Sequence, residues 1–205
     1  MAELADSILR QGGSLPHEAR RRQSEARVGA FGGARLAAEK RYPYLKKFRD
    51  VPIARSLIPH KGGWGEFMEP DSPSNPLPGN WTISVDRSAA DRPGGVENVI
   101  VADMVHAAST LDPEFQGLKR ELRENLSPME VEFARKRYET QFKGQQSGSN
   151  FATFDNFMDT YWTDGMVQHL LLPEGSEIDE IMKGSPDAAP TFGKIKALFE
   201  GKSGG

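Results

Sequence analysis

Two stretches decide the fold: Asn75-Pro76-Leu77-Pro78-Gly79-Asn80-Trp81-Thr82-Ile83-Ser84-Val85-Asp86 and, after a short spacer, Val96-Glu97-Asn98-Val99-Ile100-Val101-Ala102-Asp103-Met104-Val105-His106. In the first, Trp81, Ile83 and Val85 alternate with Thr82 and Ser84, the period of a strand with one apolar face. The second is apolar over more than two helical turns, so it predicts a central helix over Val96–Leu111. Near its middle it carries an acid and a histidine three residues apart. That layout is a helical zinc-protease motif without its first histidine. Such a motif needs two histidines at i and i+4 with a glutamate beside the first, so that both imidazoles reach the metal and the carboxylate activates bound water. Here Ala102 stands at the first ligand position and Asp103 at the base position, one methylene shorter than glutamate. One imidazole does not hold a catalytic metal without other protein ligands; His60 and His169 are the histidines able to approach, though no spacing argues for either.

Downstream the chain reads as helices with clear start signals. Asp112-Pro113 resets the helix, with Asp as cap and Pro at the first position. Phe115, Leu118, Leu122 and Leu126 follow as a stripe. Ser127-Pro128-Met129-Glu130 is a capping sequence, and Val131, Ala134, Tyr138 and Phe142 form the inner face behind it. Gly144 to Asn150 is a polar linker. Thr153 caps an aromatic-rich segment with Phe154, Phe157, Met158, Tyr161 and Trp162, which runs to Leu170–Leu172 and Pro173. Ser176 opens a short helix, and Phe192, Ile195, Leu198 and Phe199 mark a last one that Gly201 closes.

Upstream the pattern is weaker. Residues 51–94 are punctuated by Pro and Gly and leave room for no long element; Trp64, Phe67 and Met68 anchor them. Residues 1–50 hold 11 Lys/Arg against 6 Asp/Glu, a balance of +5, whereas the rest of the chain carries −8. Leu36 to Phe48 has helical spacing, broken at Pro43. We read 1–50 as a basic arm that packs on something else, such as another subunit. Its charge excess falls short of a nucleic-acid-binding density, so contact with nucleic acid is the lesser expectation. The division is an arm at 1–50, a Pro/Gly-rich region with one strand at 51–94 and a helical body at 95–205. The fold class is mainly α, with a minor β element and an extended N-terminal arm.

Composition removes several chemistries. With no cysteine among 205 residues, there is no disulfide, thiolate metal site or cysteine nucleophile. No apolar run reaches the ~18 residues of a membrane helix. The hydrophobic fraction of 37% allows a moderate core with much loop. Gly29-Ala30-Phe31-Gly32-Gly33 lacks phosphate-loop spacing, and His17 beside Arg20, Arg21 and Arg22 suits at most an acidic surface.

The candidate site residues are Asp103 and His106, with Glu66 as a third. The structural reading of the first two is that they pair with each other or cap nearby backbone. Glu66 lies in a Gly-rich loop beside aromatics, a setting able to raise a carboxyl pKa for acid catalysis, although a packed loop is the simpler account. Asp155, Asp159, Asp164, Glu174, Glu177, Asp179 and Glu180 read as acids favoured at helix starts. No Ser–His–Asp arrangement is legible, and no cofactor or metal is expected.

Gly65-Glu66-Phe67, Asn75 to Gly79, Thr82 to Val85, Ala102 to Ala107, Leu111-Asp112-Pro113-Glu114-Phe115 and Tyr138 resemble a group of uncharacterised proteins of tailed bacteriophages and prophages. Phe154-Asp155-Asn156-Phe157-Met158 and Leu170-Leu171-Leu172-Pro173 extend the resemblance, which covers roughly residues 62–200 and leaves out the N-terminal arm. It supplies no catalytic residue. The Asp-x-x-His portion without its leading histidine fits an inactive relative of a zincin, a pseudoenzyme, or a coincidence of spacing. The resemblance implies a non-enzymatic structural protein of the virion, in the tail or neck, binding other virion proteins and copies of itself. The alternatives are a degenerate zincin-like or cell-wall hydrolase using Asp103, His106 and Glu66, and a host-directed binding protein made during infection.

Overall fold

The computed structural model describes residues 31–56, 64–143, 153–172 and 177–202. The long apolar segment forms helix α2 (Gly95–Leu111), with α1 (Gly32–Arg41) before it in the chain. From Asn98 to Ala108, α2 is buried almost all round, only His106 reaching solvent. A helix without a polar face must be enclosed on all sides, and α2 is the axis on which the rest packs. It meets α1, a small sheet, α3 (Pro113–Glu124) and α6 (Thr163–Leu171).

The expected strand is present as β3 (Thr82–Val85), the centre of a three-stranded sheet. Its neighbours are β1 (Ile53–Arg55), parallel to it in the register Ile53↔Ile83, and β2 (Gly65–Met68), antiparallel in the register Phe67↔Ile83. The expectation of a single strand in 51–94 is therefore corrected to three. Thr82 and Ser84, expected on a polar face, are as buried as Ile83 and Val85. A central strand covered on both faces hides its polar residues as well. Segments of three or four residues between prolines and glycines carry too little periodicity to be seen alone.

Three of the capping signals formed as expected; Ser176 lies outside the described residues. Asp112 accepts from the Glu114 amide (3.0 Å), Ser127 from Glu130 (3.2 Å) and Thr153 from Asn156 (3.1 Å). These open α3, α4 (Pro128–Arg137) and α5 (Phe154–Phe157). A π-helical turn, Met158–Trp162, joins α5 to α6 in one continuous helix, and a second, Tyr138–Phe142, ends α4. Helix α7 (Glu177–Gly184) and helix α8 (Ala189–Phe199) complete the chain, and Gly201 takes the left-handed conformation (φ 66°) after α8.

The boundary of the N-terminal arm at residue 50 is corrected. Tyr42, Leu45 and Phe48 belong to the same core as α2, and Leu45 is fully buried. Pro43 ends α1 and starts a 3-10 helix, Pro43–Phe48, which turns these side chains inward. Arg35 donates to the carbonyls of Phe48 (2.7 Å) and Val51 (2.9 Å), and Lys47 pairs with Asp112 at 2.6 Å. The rings of Tyr42, Tyr44 and Phe115 meet Phe199 of α8. Residues 31–50 are thus part of the body. Residues 1–30, with His17 and the first two residues of the Gly29–Gly33 motif, lie outside the described residues.

Gly65 sets how closely β2 approaches α2. A Cβ there would lie 2.1 Å from Asp103 Oδ2 and 2.6 Å from Val99 Cγ1. Gly65→Ala is expected to push β2 off α2 and cost roughly 1–3 kcal/mol in urea unfolding, the range for overpacking. An unchanged midpoint would mean that the strand shifts freely.

Candidate functional site

Asp164 is the centre of the only grouping of chemistry-bearing side chains that α2, α3 and α6 build together among the described residues. Its side chain is 2% exposed. Oδ2 accepts from His106 Nδ1 at 2.7 Å. Oδ1 accepts from Ser109 Oγ at 2.6 Å and also receives Lys119 Nζ. Lys119 in turn donates to Ser109 Oγ at 3.0 Å and to the Asp159 carbonyl. That carbonyl lies in the π turn, where the widened helix loosens the usual ladder. Thr163 Oγ1 takes up the Met158 carbonyl (3.0 Å) and shares that of Asp159 (3.2 Å). A π turn carries an extra residue, and here Asp164, one residue past the Thr163 that closes it, faces α2.

His106 and Ser109 are one turn apart on α2 and so share a face. Gln168 of α6 fixes the far side of the ring. Its amide nitrogen donates to the Ala102 carbonyl (3.2 Å) and lies 3.0 Å from His106 Nε2. With the amide held by Ala102, Nε2 is the acceptor, and the ring proton of neutral His106 sits on Nδ1, toward Asp164.

Burial raises the pKa of Asp164. The His106 hydrogen bond and the Lys119 charge lower it more, and the net direction is down. Burial lowers that of His106. The Asp164 hydrogen bond and charge, with the charge of Asp103, raise it against Lys119, and the net direction is up. The Gln168 contact opposes that rise, since a protonated Nε2 faces an amide donor. The signs follow by linkage. The Asp164 contribution is present above about pH 4 and is lost as pH falls through its depressed folded value. The His106 contribution is present below about pH 6.5 and is lost as pH rises through its elevated folded value. The cluster therefore stabilises most between those limits. The stability difference between wild type and His106→Gln, measured by urea unfolding from pH 5 to 9, is expected to shrink with rising pH. A constant difference would contradict an elevated imidazole.

The cluster forms the floor of an open cleft of about 1310 Å³, walled by β2, the loop after it, α3 and the π turn. Asp103, His106 and Glu66 all line it, so the three sequence candidates come to one place, though in different roles. His106 pairs with Asp164, 58 positions away, where a pair with Asp103 or local backbone capping was expected. Asp103 is buried beneath Gly65. Glu66 is not in a packed loop. It is an exposed residue of strand β2 beside Phe67, which stacks on Trp81 with ring centroids 5.0 Å apart. Arg123 at the cleft wall binds Asp159 (2.7 Å) and Asp155, consistent with exposed acids at a helix start. Asp164, grouped with them in the sequence reading, is instead the buried hub. His60 lies outside the described residues. Among those described, no three His, Asp or Glu side chains group as metal ligands.

Ser109, His106 and Asp164 do meet, but in the wrong order for nucleophilic catalysis. A triad places the imidazole between serine and acid, so that Nε2 takes the hydroxyl proton. Here the acid is in the middle, the hydroxyl points at the carboxylate, and Nε2 faces Gln168. Comparisons with protein-family models, curated proteins and solved structures gave no match. Among the described residues, no helix is long and apolar enough to cross a membrane.

Proposed function

We propose that this chain is a non-enzymatic structural component of a tailed-phage particle, in its tail or neck, bound to neighbouring virion proteins. The resemblance of residues 62–200 to phage and prophage proteins supports the setting. The observation that carries the non-catalytic part is the wiring of the polar cluster. Both oxygens of Asp164, both ring nitrogens of His106 and the Ser109 hydroxyl are engaged within the protein, which spends them on joining three helices. The test is quantitative mass spectrometry of gradient-purified particles. A fixed ratio of this chain to the other particle proteins supports the reading. Absence from particles, with abundance in infected cells, overturns it and favours a host-directed role.

One observation favours a second reading, a divergent hydrolase. His106 opens onto the cleft with 36% of its side chain exposed and has a carboxylate behind Nδ1. If Gln168 swung aside, Nε2 would be placed to take a proton from water. Under that reading Gln168→Ala retains or raises hydrolysis of a peptide or cell-wall substrate, and His106→Ala removes it. Equal inactivity of wild type and both variants discards it.

A further inference from the structure

Helix α4 exposes two large apolar side chains. Met129 is 70% exposed and Phe133 is 60% exposed. They are four residues apart and so lie on one face, while Ala134 is fully buried on the other. The patch is backed by aromatic packing: Phe133 meets Trp162 edge-on at 5.9 Å, and Arg137 lies over the rings of Trp162 (5.6 Å) and Tyr161 (5.9 Å). Charge along the helix is divided. Glu130 and Glu132 occupy the N-terminal half; Arg135, Lys136 and Arg137 occupy the last turn. Glu132 and Lys136 are exposed, and they flank the patch on the side opposite Glu130 and Arg137.

We infer that this face of α4 pairs with the same face of a second copy of the chain, antiparallel about a two-fold axis at Phe133. The division of charge selects both occupant and direction. An isologous interface must complement itself. About an axis across the helices, each residue before Phe133 lies opposite a residue after Phe133 on the same flank. Glu132 then faces Lys136 of the second copy, while Glu130 and Arg137 stay on Trp162 of their own chain. The two Phe133 rings meet at the axis, and Met129 lies against the other helix's last turn. Parallel pairing would set acid on acid and base on base. Antiparallel pairing also opposes the helix dipoles favourably. This goes beyond the reading as a virion component, since a two-fold pair is equally open to a hydrolase.

The test is sedimentation velocity of the full chain at about 100 μM, where a micromolar pair is formed. Wild type is expected to dimerise, and Phe133→Asp to weaken the dimer about 30-fold or more, as for a central anchor. Glu132→Lys alone and Lys136→Glu alone are each expected to be monomeric, because each sets like charges together. An equimolar mixture of the two restores both pairs and is expected to form a heterodimer, as is the double variant with itself. Circular dichroism reports that each variant remains folded. A monomeric wild type overturns the inference, whether residues 1–30 or another protein covers the patch. So does a dimer indifferent to Phe133→Asp, and so does a failed charge swap. None of these outcomes bears on whether the chain is found in particles.

Discussion

Asp164→Ala is expected to destabilise the protein by about 3–5 kcal/mol, the cost of removing one member of a buried ion pair. The reason lies in what remains. Lys119, whose side chain is 9% exposed, loses its counter-charge. His106 Nδ1 faces a void, while Ser109 keeps the Val105 carbonyl at 2.9 Å as an acceptor. Lys119 and His106 keep their desolvation cost without their partner. For a domain whose whole stability is about 5–15 kcal/mol, the loss is a large fraction. Asp164→Asn keeps the shape and one acceptor and is expected to lose less. Replacing both members, with Asp164→Leu and Lys119→Met, is expected to recover part of the loss, as apolar substitutes for buried pairs do. Urea unfolding of wild type, of Asp164→Leu and Lys119→Met singly, and of the double variant completes the cycle. A loss below about 1 kcal/mol for Asp164→Ala would remove the carboxylate from the centre of the fold.

Deletion of residues 1–50 is expected to abolish folding. The deleted stretch includes Tyr42, Leu45 and Phe48, all part of the core around α2. Leu45→Ala tests the same point at one residue. It removes a fully buried side chain and is expected to cost about 2–5 kcal/mol, the range for such truncations in a core. Were residues 31–50 a detachable arm, the substitution would leave the unfolding midpoint unchanged and the deleted protein would fold. Particle incorporation of the deleted chain therefore cannot isolate the role of an arm, because the body itself is broken.

The mainly helical fold with a minor β element was legible because its signals are local. Ser127, Asp112 and Thr153 cap helices through side chains two or three residues from their targets, and α2 declares itself by its apolar length. The sheet was legible only at β3. The strands beside it are too short to show a period, and β1 pairs with a segment 30 positions on. The hub was missed for a related reason, since the contact of Asp164 with His106 joins distant parts of the chain. Two traces of it were present. Lys119 stands between Phe115 and Leu122 at helical spacing, a lysine on an apolar stripe. Asp164 precedes Val167 and Leu171 at spacings of three and seven, an acid at the head of one. A charge of each sign on two buried stripes is a signal for an internal pair. The orientation of its imidazole was not legible at all, because that depends on which atom Gln168 faces.

The rings of Tyr42 and Tyr44 rest on Phe199, so the first and last described helical segments close on each other. This places a kinetic demand on synthesis. A nascent chain that has emerged through α6 already holds the hub, yet the apolar faces around Leu45 and Phe115 stay open until α8 arrives. Contacts so far apart in sequence slow folding, and a chain stalled or cut before residue 199 would present that open face to chaperones and proteases. Docking of α8 is thus the step that closes this side of the core, since Tyr42, Tyr44 and Phe115 all share the ring of Phe199.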